Sequence, residues 1–303
     1  MENTLFKKTL IPVFIIAATA VTSTFSALAK TIRLTPDNVD AVVAAMTPED
    51  KANLIVGMAR DMSDELRADV GYTYHIVPGV AGTTCPITYM GVTPLVLADG
   101  PAGIRMDSRR KGDSKDYFCT RVPMGTLLSS TWNDSIVAAF GSIIGEECRD
   151  YGIDILLGPG MNIMRNPLCG RNFEYYSEDP LLSGKMAAAF TNGVQSHGVG
   201  VSLKHFAANN QEINRLANDS RVSQRALREL YLRNFEIAIR ESEPWSVMSA
   251  YNYVNGEYAS QSKTLLTDIL RREWGFEGVV MSDWGAGISA VDMVKAGNDM
   301  IQP

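Results

Sequence analysis

Five clusters of polar residues could carry chemistry, and four of them directly follow a short apolar run. Asp283 comes after Val279-Val280-Met281-Ser282 and before Trp284-Gly285. A carboxylate leaving a buried strand beside an indole suits a pyranose: the Trp284 face can stack on the ring and the carboxylate can attack an anomeric carbon. A helix N-cap aspartate in a strand–helix loop competes equally at this position. Lys204-His205 closes the run Val199–Leu203 and could grip adjacent hydroxyls; a Schiff-base lysine is the rival reading. Asp99 closes Pro94–Ala98 and opens Gly100-Pro101-Ala102-Gly103. Its carboxylate could accept two hydroxyls, although a turn-forming aspartate is the commoner use of such a loop. Arg171 could hydrogen-bond hydroxyls in pairs, or pair with Asp99 or with Glu174, Glu178 or Asp179. Tyr251-Asn252 closes Ser246–Ala250. A metal site is disfavoured, because the chain has three histidines (His75, His197, His205) and none is paired at ligand spacing.

The elements that must position these residues alternate. Strand candidates at 94–98, 153–157, 199–203, 246–250 and 278–282, with a weak sixth at 299–302, are separated by helical segments near 132–150, 180–197, 223–241, 262–274 and 286–296. The strands lack polar alternation, as strands covered on both faces do. Strands alternating with helices predict a parallel sheet of right-handed βαβ units. Chemistry at four or more strand ends favours a barrel, whose site forms where those ends converge, over an open sheet with one crevice. No glycine-rich phosphate fingerprint follows a strand, which counts against a nucleotide enzyme. Upstream, Thr47-Pro48-Glu49-Asp50 reads as a helix start, and the glycine- and threonine-rich stretch 71–93 reads as loop.

Composition sets the outer bounds. The chain has 303 residues, 46% hydrophobic, enough for one barrel-sized domain. A formal net charge of -6 argues against a nucleic-acid partner. Residues 1–29 predict a signal peptide: Lys7-Lys8, the apolar run Leu10–Ala20 and Ala27-Leu28-Ala29 as cleavage pattern. The mature chain would begin at Lys30, be secreted or periplasmic, and carry no membrane span. An uncleaved anchor is the weaker reading. Cys85, Cys119, Cys148 and Cys169 form no C-x-x-C pair; Cys85 with Cys119 is one conceivable disulfide, four thiols the plainer alternative.

Taken together, LADGPAGIR (97–105), NIMRNPLCGRNFEYYSEDP (162–180), GVGVSLKHFAANNQE (198–212), VMSAYNYVNG (247–256) and WGFEGVVMSDWGA (274–286) resemble glycoside hydrolase family 3, of the β-glucosidase type. The resemblance implies a TIM-like (β/α) barrel over residues 30–303, truncated at about its last strand and lacking the following α/β sandwich domain. It implies hydrolysis of terminal β-D-glucosides with retention, without cofactor or metal. Asp283 matches the nucleophile. Asp99, Arg171, Lys204, His205 and Tyr251 match residues that hold the glycone, and Arg105 and Arg165 lie in matching motifs. The segment KHFAANNQE lacks the histidine loop of the family's N-acetylhexosaminidases. In this family the acid/base carboxylate comes from the later domain, so residues 30–303 alone are expected to be weak or inactive on unactivated glucosides. A non-catalytic sugar-binding homologue is the alternative.

Overall fold

The computed structural model describes residues 32–59 and 76–303. The expected signal peptide, residues 1–29, lies outside the described residues, as does His75. The described residues form two compact units: residues 32–46 with 87–92, and residues 47–59 with 76–86 and 93–303. In the first, helix α1 (Val39–Ala45) buries Val42, and the Leu34 N–H donates to the Met90 carbonyl at 2.7 Å.

The second unit contains the barrel. Helix α2 (Pro48–Leu54) starts where the sequence predicts, with Thr47 and Asp50 capping each other reciprocally. The strands in chain order are β1 (Met58–Ala59), β2 (Gly82–Thr83), β3 (Val96–Asp99), β4 (Ile155–Leu157), β5 (Gly200–Phe206), β6 (Asp219–Ser220), β7 (Ser246–Ser249), β8 (Tyr253–Val254), β9 (Glu257–Tyr258) and β10 (Val279–Ser282). One sheet runs β1-β2-β3-β4-β5-β7-β10; β6, β8 and β9 form a separate small sheet. Parallel bridges Met281–Met300 and Val56–Ile301 join the two edges of the large sheet. The Ile301 N–H donates to the Ile55 carbonyl and the Gly57 N–H to the Ile301 carbonyl, each at 2.8 Å, so the ladder closes into a ring. The weak sixth strand expected at 299–302 is this closing segment.

The expectation of an all-parallel sheet needs one correction. Strand β2 runs antiparallel to both β1 and β3. It falls inside the stretch read as loop, because two residues give no periodicity to detect. Gly82 is required there, since a Cβ would lie 2.4 Å from the Met58 carbonyl oxygen. Reversal also puts the residues before β2 at the same end of the barrel as the C-terminal ends of β1 and β3, its antiparallel neighbours.

Two apolar clusters hold the barrel. The smaller fills the interior with Leu97, Ile155, Leu157, Met248 and Met281, with Ala81, Trp284 and Met300 packed against it. The larger joins the outer face of the strands to the helices, among them Ile144 and Cys148 of α3 (Asp134–Tyr151), Phe190 of α4 (Pro180–Gln195) and Phe235 of α5 (Arg233–Ser242). Strands with both faces in apolar contact account for the unbroken apolar runs of the sequence. The four cysteines are free thiols, so the conceivable Cys85–Cys119 bridge is absent; burial pushes the Cys148 thiol up to about 12. No helix among the described residues is long and apolar enough to cross a membrane.

Candidate active site

A cavity of about 380 Å³ opens where β3, β4, β5, β7 and β10 end. Asp99, Arg171, Lys204, His205, Tyr251, Asp283 and Trp284, the seven residues singled out from sequence, all line it. Arg105 lines it too, whereas Arg165 lines a separate groove with Leu168 and Ile213. Sequence reasoning missed Gly79, Val80 and Ala81, delivered by the reversed strand, and Leu157, Met248 and Arg215.

Asp99 is the last residue of β3. Gly100 follows with φ +149°, and a Cβ there would meet the Gly103 carbonyl oxygen at 2.1 Å. The chain therefore turns tightly, and the Arg105 N–H returns to the Asp99 carbonyl at 2.8 Å. Lys204 Nζ donates to Asp99 Oδ1 at 2.8 Å, and Arg105 Nη1 lies 3.6 Å from Oδ2. Burial alone would raise the Asp99 pKa, but Lys204, Arg171 and Arg105 outweigh it and hold the carboxyl below the usual range. Lys204 is buried and its Nζ is engaged with Asp99, not turned freely into the cavity as a Schiff-base lysine would be.

Asp283 leaves β10 across from β7, its N–H donating to the Ser249 carbonyl at 3.0 Å. Its Oδ1 accepts from the Trp284 N–H at 2.8 Å, and the Tyr251 hydroxyl lies close enough to favour the charged carboxylate, but Oδ2 has no donor in good hydrogen-bond geometry. His205 Nε2 faces that Oδ2 at 3.5 Å. Lys204, Arg171 and Tyr251 favour the carboxylate, yet burial prevails and the Asp283 pKa is raised. Neighbouring cations alone thus mispredict its direction, because they omit the cost of removing the charge from water.

Arg171 follows β4 and pairs with the buried Glu174, not directly with Asp99. Burial disfavours its charge, but Glu174, Tyr175 and Asp283 more than compensate and raise its pKa. Arg215 pairs with Glu212 at 2.9 Å and lays its guanidinium 4.2 Å above the Tyr251 ring. In sequence it reads as the second half of an exposed i,i+3 ion pair, so nothing local marks it. Burial and the Asp283 charge raise the Tyr251 pKa. Among the described residues, no group of three His, Cys, Asp or Glu side chains could hold a metal ion.

The pocket thus offers fixed charges, an aromatic floor and one carboxylate oxygen without a well-placed donor. The profile of the glycosyl hydrolase family 3 N terminal domain matches residues 104–300. The chain belongs to this family. It is 41% identical to thermostable beta-glucosidase B of Acetivibrio thermocellus over 269 residues, 88% of this chain and 33% of that protein. It is 46% identical to an exo-alpha-(1->6)-L-arabinopyranosidase of Bifidobacterium breve over 217 residues, 70% of this chain and 29% of that protein. Beta-glucosidase 3B of Thermotoga neapolitana, solved in complex with α-D-glucose, superimposes with a TM-score of 0.81 at 52% identity, over 87% of this chain and 36% of that one. The Kluyveromyces marxianus beta-glucosidase, solved with glucose, gives 0.76 at 33% identity, over 88% and 29%. The chain therefore spans about a third of the length of these relatives.

Proposed function

We propose that this chain carries the glycone pocket and the nucleophile of an exported retaining β-glucosidase. The observation that carries the reading is the contrast inside one cavity between Asp99, whose charge is neutralised by Lys204, and Asp283, which is buried and whose Oδ2 has no donor in good hydrogen-bond geometry. Similarity to beta-glucosidases, including one solved with glucose, supports the substrate class. Asp99, Lys204, His205, Arg171 and Tyr251 hold the hydroxyls of a terminal glucose, and Trp284 supplies an apolar face. Asp283 Oδ2 attacks the anomeric carbon as the aglycone bond breaks, giving a glycosyl ester. Water then cleaves the ester and restores the carboxylate, with net retention.

Retention also requires a second carboxyl group about 5–5.5 Å from the first, protonated before attack. Among the described residues, the other carboxylate lining the cavity, Asp99, has a lowered pKa and is committed to Lys204, which suits a holder of hydroxyls and not an acid. Glu174 and Glu212 are paired with Arg171 and Arg215 and do not line the cavity. As the family resemblance implies, we assign the acid/base to a part of the whole protein beyond these residues. Residues 1–29 direct export to the periplasm or the exterior.

The test compares leaving groups. Residues 30–303 should bind glucose and react once with a dinitrophenyl 2-deoxy-2-fluoroglucoside, whose departure needs little protonation. They should barely hydrolyse cellobiose. Full steady-state cellobiose hydrolysis would refute the division of labour; glucose binding without any adduct would favour a non-catalytic sugar-binding homologue.

A further inference from the structure

The imidazole of His205 has two ring nitrogens, and one buried amide decides which of them carries the proton. Asn162 lies in the chain between β4 and α4 and is buried. The backbone of His205 grips its side chain on both sides. Oδ1 accepts from the His205 N–H at 3.0 Å, and Nδ2 donates to the His205 carbonyl at 2.9 Å. Turning the amide over would set N–H against N–H and oxygen against oxygen, so its orientation is fixed. The same Oδ1 lies 3.2 Å from His205 Nδ1. An amide oxygen offers only lone pairs, so Nδ1 must bear the hydrogen. Tyr175 Oη also faces Nδ1, at the longer distance of 3.4 Å.

A neutral ring with its hydrogen on Nδ1 has a bare Nε2. Burial keeps the ring uncharged, and the cations Arg171, Lys204 and Arg215 add to this, holding its pKa well below the usual histidine value. Nε2 is the nitrogen that points at Asp283 Oδ2.

We propose that Asn162 is a positioning residue that locks His205 in the Nδ1–H tautomer, so that the ring presents an acceptor to the pocket. The proposal rests on the glycone-pocket reading for its consequence. A ring N–H at Nε2 would bond the attacking oxygen and blunt it. A bare Nε2 donates nothing to Oδ2 and takes its hydrogen from a glycone hydroxyl instead, so the side chain that helps to hold the sugar does not occupy the nucleophile.

The readout is the two-bond 1H–15N correlation spectrum of the uniformly 15N-labelled chain, with His75→Gln and His197→Gln assigning the other two imidazoles. At neutral pH and without sugar, His205 should show hydrogen on Nδ1 and none on Nε2. A hydrogen on Nε2, or a doubly protonated ring, would overturn the proposal. Asn162→Asp puts a carboxylate against Nδ1–H, which stabilises the imidazolium and places a hydrogen on Nε2 opposite Asp283. The variant should show the doubly protonated ring at a pH where the wild type does not. It should form the fluoroglucosyl adduct roughly tenfold to a hundredfold more slowly. A purely structural asparagine would lower the melting temperature and leave the His205 signals unchanged, which would equally defeat the proposal. The tautomer readout needs no sugar: failure of the wild type to bind glucose contradicts the glycosidase reading, whereas an Nε2–H ring contradicts this one.

Discussion

The two carboxylates of the cavity sit at the ends of different strands of one barrel and are driven in opposite directions. Asp99 ends β3 with Lys204 at 2.8 Å and Arg105 at 3.6 Å, and its pKa is lowered. Asp283 follows β10, keeps one oxygen without a donor in good hydrogen-bond geometry, and has a raised pKa. A carboxylate held by cations is a stable receptor for hydroxyls. One that is buried and under-solvated is a better nucleophile, because little must be stripped from it before attack.

The largest expected effect tests the Asp283 side of this contrast. Asp283→Asn should slow adduct formation with the fluoroglucoside by ~10⁴-fold or more while glucose still binds, measured by intact mass and by calorimetry. Asp99→Asn should act on the other side, weakening glucose roughly tenfold to a hundredfold through lost charge-assisted hydrogen bonds.

Stability should separate the two residues by sign. The folded Asp283 pKa lies above the ordinary aspartate value of 3.8, so the folded state binds more protons between those two pKa values and stability falls as pH rises through that window. Asp283→Asn should therefore raise the melting temperature at pH 7, by about 2–4 °C for each kcal/mol gained. The folded Asp99 pKa is lowered, so its contribution is present above 3.8 and is lost as pH falls through the folded value. Asp99→Asn should lower the melting temperature at pH 7. Shifts of the same sign in scanning calorimetry would dissolve the contrast. In kinetics, the adduct rate should climb with pH through a pKa above 3.8. The smallest effect belongs to Arg215→Met, which removes the cation over Tyr251 and should weaken glucose about two- to fivefold.

Much of this contrast was legible in the sequence, and the remainder fails for identifiable reasons. Strands β3, β4, β5, β7 and β10 announce themselves as apolar runs because both faces are covered, and the residues that end them converge in space. Strands β1 and β2 do not, because each pairs through only two residues. Yet β2 sets the residues 79–81 against the cavity. Asn162 and Arg215 escaped because their partners, His205 and Tyr251, lie on other strands or loops. The Asp283 pKa went the other way from a count of neighbouring cations, since burial is a property of the fold and not of the local window.

The most direct test of the division between the two carboxylates is peptide mapping after the fluoroglucoside reaction. The account predicts a single modified peptide, with the sugar esterified to Asp283, and no label in Asp283→Asn protein that still binds glucose. A label on Asp99, or an unchanged yield of adduct in Asp283→Asn, would contradict it.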